Sequence, residues 1–306
     1  GLAGLNLTPN LVLEGRAGIG FLQQDVHEAI TNIVRRGRRF SPVYSLHKYS
    51  LDVDERDVGL RAMFTFPNGI YVAGDLLQRA FSGDADRTVV VGSLEGQLRP
   101  IPLLDLQLRY ERDMAPSALA VVEDIAYHMF MGAANVRLTD TWTLLGSAVH
   151  YDFSDDNTRD HFAIGTSWTL HERTGFRVGL RASYDTSDFE SRAYWTPYHL
   201  QRYYVETGFR GQYLRMYYNL RLRLGIGRED VRPEEEERYR LTVARAIRER
   251  FEPGPPPQED WEPVLGLAAS FRKPIGEHWS IHGEASYNRN PNYNEFSLLG
   301  GLRYRF

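Results

Sequence analysis

The chain has 306 residues, a formal net charge of -4, no cysteine, 18 Tyr, 15 Phe and 27 Gly. A charge this close to balance gives nucleic acid no electrostatic footing, and the missing cysteines exclude a disulfide frame or a thiolate metal site. No run approaches the roughly 18 to 20 apolar residues of a membrane-spanning helix, whereas a barrel strand needs only about 9 to 11 residues with alternate ones apolar.

Gly1 to Asn10 lacks the basic segment followed by an apolar one that marks a signal peptide, so the chain reads as a mature form or a piece of a longer precursor. A first strand is expected over 11–23, followed by a long connection, 24–57. Within it Val26 to Arg39 (VHEAITNIVRRGRR) spaces apolar residues by three and four, as a helix does. Segment 43–53 alternates instead (Val43, Ser45, His47, Tyr49, Leu51, Val53) and could belong to an added strand pair.

Alternation resumes over 58–66, 70–83, 88–98, 103–113, 123–138, 141–154, 160–171 and 175–186. It continues over 199–213, 215–228, 262–273, 279–289 and 294–306, fourteen strands in all. Pro67-Asn68-Gly69, Arg99 to Pro102, Thr139 to Thr141, His171 to Gly175 and Lys273 to His278 carry the residues of tight turns. The longer connections 114–122, 187–198 and 229–261 fall between them. In the last, Glu234 to Phe251 opens on four residues of negative charge, favourable at a helix N-terminus, and stops before Pro253-Gly254-Pro255. Short periplasmic turns, longer outer loops and an even strand count are the habit of bacterial barrels. The expected fold is therefore all-β: a single transmembrane antiparallel up-and-down β-barrel over 1–306, with fourteen strands, or sixteen if 43–53 adds a pair. Connections 24–57 and 229–261 are expected as long outer loops, partly helical lids.

Successive strand residues point to opposite faces, so one face meets lipid and the other lines the lumen. Over 215–227, Met216, Tyr218, Leu220, Leu222, Leu224 and Ile226 share the apolar face, and Tyr217, Asn219, Arg221 and Arg223 the other. Laid beside the other strands, the inward arginines are Arg16, Arg61, Arg79, Arg109, Arg137, Arg177, Arg181, Arg202, Arg210, Arg221, Arg223, Arg303 and Arg305. The inward acids are Glu14, Asp75, Glu95, Asp105, Glu111, Asp152, Asp185, Glu206 and Glu284. Such charges can pair across strands to stiffen the barrel. Collectively they offer a polar track to a hydroxyl-rich or anionic chain, with Tyr204 and Tyr217 as stacking surfaces. His150, Asp152 and His161 are expected inward near the outer strand ends, an acid-and-histidine set of the kind a barrel hydrolase uses. No nucleophile elbow or metal-ligand spacing accompanies them, so the chain reads as a non-enzyme with no cofactor and no metal.

Arg192-Ala193-Tyr194-Trp195-Thr196-Pro197, followed by a strand reaching Gly208 and Gly211, resembles a stretch in the barrels of exopolysaccharide export porins. These are the cellulose and poly-N-acetylglucosamine exporters, and the resemblance rests on the aromatic-aromatic-Ser/Thr-Pro motif Tyr194, Trp195, Thr196 and Pro197. It implies a sixteen-stranded barrel that exports a polymer and follows a periplasmic tetratricopeptide scaffold, of which these residues contain no repeat. The alternative for Tyr194 and Trp195 is a place in the aromatic girdle at the membrane boundary. The closing strand ends Leu298, Gly300, Leu302, Tyr304, Phe306 at alternate steps. It resembles the C-terminal signal read by the outer-membrane barrel assembly machinery, carried by Leu302, Tyr304 and Phe306.

The sequence thus points to a passive conduit in the bacterial outer membrane, in contact with its lipids, exporting a polysaccharide or another polymer through an Arg-rich lumen. The alternatives are a structural barrel anchoring an envelope-spanning or secretion assembly and, further off, a barrel hydrolase.

Overall fold

A computed structural model of the chain describes residues 2–8, 11–36, 39–66, 70–172, 174–191, 193–230, 260–276, 279–290 and 293–305. Its strands are β1 (Leu2–Thr8), β2 (Leu11–Arg36), β3 (Arg39–Thr65), β4 (Tyr71–Gly83), β5 (Arg87–Ile101), β6 (Leu104–Met114), β7 (Ala126–Arg137) and β8 (Trp142–Phe153). They continue as β9 (Thr158–His171), β10 (Phe176–Ser187), β11 (Leu200–Tyr213), β12 (Met216–Arg228), β13 (Glu262–Ile275), β14 (Trp279–Asn290) and β15 (Tyr293–Arg305). A five-residue helix, α1 (Ala118–Val122), lies between β6 and β7. No helix among the described residues is long and apolar enough to cross a membrane.

From β2 to β15 each strand is hydrogen-bonded antiparallel to the next in chain order. These fourteen strands alternate in direction, so β1, antiparallel to β2, must run parallel to β15. It does so through Leu2↔Arg303, Ala3↔Tyr304 and Gly4↔Arg305, which brings the two ends of the sheet together. Fifteen strands are therefore described, against the fourteen or sixteen expected. The extra one was hidden because seven residues are too few to show a face.

The largest departure is in 24–57, which is not a loop with a helical lid. Residues 24–36 continue β2 and 39–57 belong to β3, in unbroken register from Leu11↔Phe64 to Arg36↔Arg39. Val26, Ile30, Thr31, Ile33 and Val34 are β-branched, which disfavours a helix and favours a pleated strand. Segment 43–53 lies within β3 rather than in an added pair. Pairing of β3 with β4 begins only at Val53↔Gly83, so the hairpin runs on past β4 as a two-stranded arm. The expected lid in 229–261 falls at 231–259, outside the described residues.

The outer face of the sheet is what a bilayer requires. Val58, Leu60, Leu76, Val90, Leu108 and Ile164 are each more than 60% exposed, with no second layer over them. In water this belt would be a contiguous apolar patch far beyond what soluble monomers show. Aromatic pairs mark its borders. Trp142 and Trp168 stack at 6.0 Å near the tight-turn end, and Phe176 and Phe209 at 4.6 Å beside them. Tyr203 and Trp261 meet at 5.7 Å near the opposite end. Lipid takes the place of a covering layer, which is why strands alone suffice for a chain this long.

Candidate functional site: the lumen

The inward positions of β3 to β7 carry a ladder of paired charges. Arg61 donates to Glu95 at 2.5 Å and lies 3.9 Å from Asp75, while the Tyr71 hydroxyl donates to the same Glu95 at 2.9 Å. Arg79 spans Glu55 at 2.8 Å and Asp113 at 2.5 Å. Arg109 pairs with Glu111, which also accepts from the Tyr127 hydroxyl at 2.5 Å. These contacts run within a strand for Arg109 and reach adjacent and next-but-one strands for Arg61 and Arg79, so each of these arginines is partly neutralised by nearby carboxylates.

On the opposite side, Asp185 is fully buried and sits among three cationic or potentially cationic groups. Arg159 donates to it at 2.9 Å, His161 Nδ1 lies at 3.0 Å, and Arg202 completes the set. The Trp195 ring covers both guanidinium groups, its centroid 4.4 Å from Arg159 and 5.8 Å from Arg202. Farther toward the tight-turn end Glu206 accepts from Arg223 at 2.8 Å and lies 3.7 Å from Arg221, and Arg223 stands over Tyr204.

Between these groups β7 to β12 line a cavity of about 350 Å³. Thr143, Ser167, Thr169 and Asn219 present hydroxyl and amide groups to it, and Arg177, Arg181 and Arg221 present guanidinium groups. Gly179 and Gly208 hollow it, since neither puts a side chain into the space. A Cβ on Gly179 would also fall 2.5 Å from the Thr166 carbonyl oxygen, so the strands approach here as only glycine permits.

The outer end of the lumen is chemically different. There the inward residues Val53, Phe81 and Phe153, with Met114 at the end of β6, meet α1 and Tyr194 in one buried apolar cluster. Ala118, Leu119, Ala120 and Val121 of α1 are at most 4% exposed. Ser117 caps the helix, accepting from the Ala120 amide at 3.0 Å, and its hydroxyl donates to the Ala193 carbonyl. Tyr194 stacks on Phe153 with centroids 4.2 Å apart and donates to Asp155 at 2.9 Å. Burial, reinforced by that carboxylate, raises the pKa of the tyrosine hydroxyl well above its ordinary value, so it remains a neutral donor. Connection 115–125, with Ala193 and Tyr194 against it, therefore forms an apolar plug on the β3 to β8 side of the mouth.

The register puts Arg109, Arg177, Arg181, Arg202, Tyr204, Glu206, Arg210, Tyr217, Arg221, Arg223 and Glu284 on the inward face. Leu302, Arg303 and Tyr304 stand on β15 opposite Ile281, Ser280 and Trp279. Arg305 follows at the strand end. Their side chains, and Phe306, lie outside what is described. Tyr194 and Trp195 are not girdle aromatics but point inside, one into the plug and the other over the arginines. Thr196 accepts from the Ser191 amide at 3.0 Å, and Pro197 is fully buried.

The expected histidine-and-acid set does not assemble. His150 and Asp152 share the outward face of β8, where His150 pairs with the half-exposed Asp160 at 2.8 Å, and only His161 turns inward. The plug went unnoticed in the sequence because α1 is a short apolar run, Ala118 to Val122, inside a connection of ordinary length.

No protein-family model and no curated protein matches the chain. A solved bacterial polysaccharide outer membrane secretin is similar over 98% of this chain and 87% of its own, at 12% identity and a TM-score of 0.58. Two others are a mutant Rhodopseudomonas blastica porin (9% identity, 96% and 99% covered, TM-score 0.38) and the outer membrane channel DcaP of Acinetobacter baumannii (12%, 98% and 98%, 0.37). The first likeness is one of fold. With the apolar belt and girdle, it makes this chain a β-barrel of the bacterial outer membrane.

Proposed function

We propose that the barrel is a passive conduit for a polysaccharide or similar polar polymer, closed at the outer mouth by the plug of 115–125 with Ala193 and Tyr194. The observation that carries this reading is the cavity on the β7 to β12 wall, where hydroxyl, amide and guanidinium groups converge inside a sheet whose other face is apolar. A chain of sugar rings presents hydroxyls all along its length, and such donors and acceptors can be exchanged one after another as it advances. The polysaccharide in the name of the secretin neighbour supports the choice of cargo. These 306 residues contain no nucleotide-binding loop, so the driving force comes from elsewhere. A tetratricopeptide scaffold before the barrel is the partner the Tyr194 to Pro197 motif suggests, and the barrel assembly machinery is the partner for the closing strand.

The test is conductance of the purified chain in planar bilayers, beside a variant in which 116–124 is replaced by a short Gly-Ser turn. The intact chain should conduct weakly and the variant well. A lumen that stays closed in the variant overturns the conduit.

A further inference from the structure

The two lumen walls are not charged alike. On β3 to β6 the inward positions from Leu51 onward carry five arginines and seven carboxylates, and Arg61, Arg79 and Arg109 are all engaged by acids. On β9 to β12 they carry seven arginines and only two carboxylates, Asp185 and Glu206. Both of those acids are already held, Asp185 by Arg159 and Arg202, Glu206 by Arg223. In the strand order β7 and β8 separate the walls on one side, and β13 to β15 with β1 and β2 on the other, so they face each other across the lumen.

Three arginines of the basic wall are left over. Among the described residues no carboxylate lies within ion-pair reach of Arg177, Arg181 or Arg210, and the buried Nε of Arg181 has no hydrogen-bond partner. Arg177 and Arg181 stand four residues apart on one face of β10, on either side of Gly179, and both open into the 350 Å³ cavity. Arg221 lines the same cavity, with Glu206 shared between it and Arg223. Unpaired guanidinium groups around a recess suit an oxyanion, which a planar fork of donors can grip with two parallel hydrogen bonds.

We infer that the β10 to β12 stripe of Arg177, Arg181 and Arg221 is an oxyanion-binding site, and that the polymer bears carboxylate or comparable anionic groups at intervals along its chain. The cargo assignment rests on the conduit reading; the binding site does not. The acidic wall opposite repels the same groups, so the chain is held to one side of the lumen with its anions on β10 to β12. Electrostatic attraction across a wet lumen weakens with salt, so retention should fall as ionic strength rises.

Two measurements separate the failures. Binding of tetragalacturonate and of neutral cellotetraose to the full chain in detergent micelles is followed by calorimetry, with the R177Q/R181Q double variant alongside. Tetragalacturonate should bind about tenfold or more tightly than cellotetraose, and the variant should erase the difference. Equal binding of the two probes, or an unchanged preference in the variant, overturns the site. In the plug-replaced chain, the reversal potential across a KCl gradient should show anion selectivity, moving toward the cation side in R177Q/R181Q. A conducting lumen that favours cations overturns the anionic cargo. A lumen that never conducts while tetragalacturonate still binds overturns the conduit and leaves the site standing.

Discussion

At the outer mouth the inward positions of β3, β4 and β8 hold Val53, Phe81 and Phe153, whereas deeper in the lumen the same strands present Arg61, Asp75 and Thr143. The alternation is identical in both places, and only the identity of the inward residue changes. At the mouth, apolar area holds a plug in place by a force that salt hardly alters. At the waist, charged and hydroxyl groups stay wet and can exchange partners, and salt screens the exposed ones. One barrel thus combines a dry closure with a wet track, and the two should respond to different perturbations.

The largest effect should come from the charged part of the lumen, at its buried ion cluster beneath Trp195. Asp185→Ala leaves Arg159, Arg202 and His161 without their shared carboxylate, at a cost of about 3–5 kcal/mol in urea unfolding from lipid vesicles. A loss under about 1 kcal/mol would mean water already screens the cluster. Phe153→Ala acts at the mouth and should cost about 3 kcal/mol of plug packing, as expected for a buried aromatic. Its readout is faster protease cutting between Pro116 and Asp124 at any ionic strength. A cutting rate that depended on salt would place the closure among the electrostatic features instead. Ser117→Ala is the mildest, removing the helix cap and the link to Ala193 for about 1 kcal/mol. That should raise the open fraction in single-channel records about fivefold, and no change would show that α1 is held by apolar contact alone.

Several features were legible because they are local. Met216 to Ile226 could face only one way, and the tight turn at Thr139 to Thr141 marked where β7 gives way to β8. Where both faces of a strand are apolar, the parity could not be read. β8 carries Leu144 outward and Leu145, Val149 and Tyr151 inward, and this is why His150 and Asp152 were set on the wrong side. Val26 to Arg39 satisfied a helical spacing as well as a strand's, and the pairing of 26–36 with 39–49 across the hairpin settled it.

What the sequence determined by itself was the strand character, the lipid-facing side of the clear strands and the arginine content of the other. Each of these follows from the two-residue period of an extended chain. What only the tertiary structure decided was which arginine has a partner and which residues close the mouth. Arg61 and Arg177 are the same side chain in the same alternating context. One stands beside Asp75 and Glu95, whereas the other opens into the recess of β10 to β12, because charge pairing and plugging depend on which strands lie side by side around the barrel.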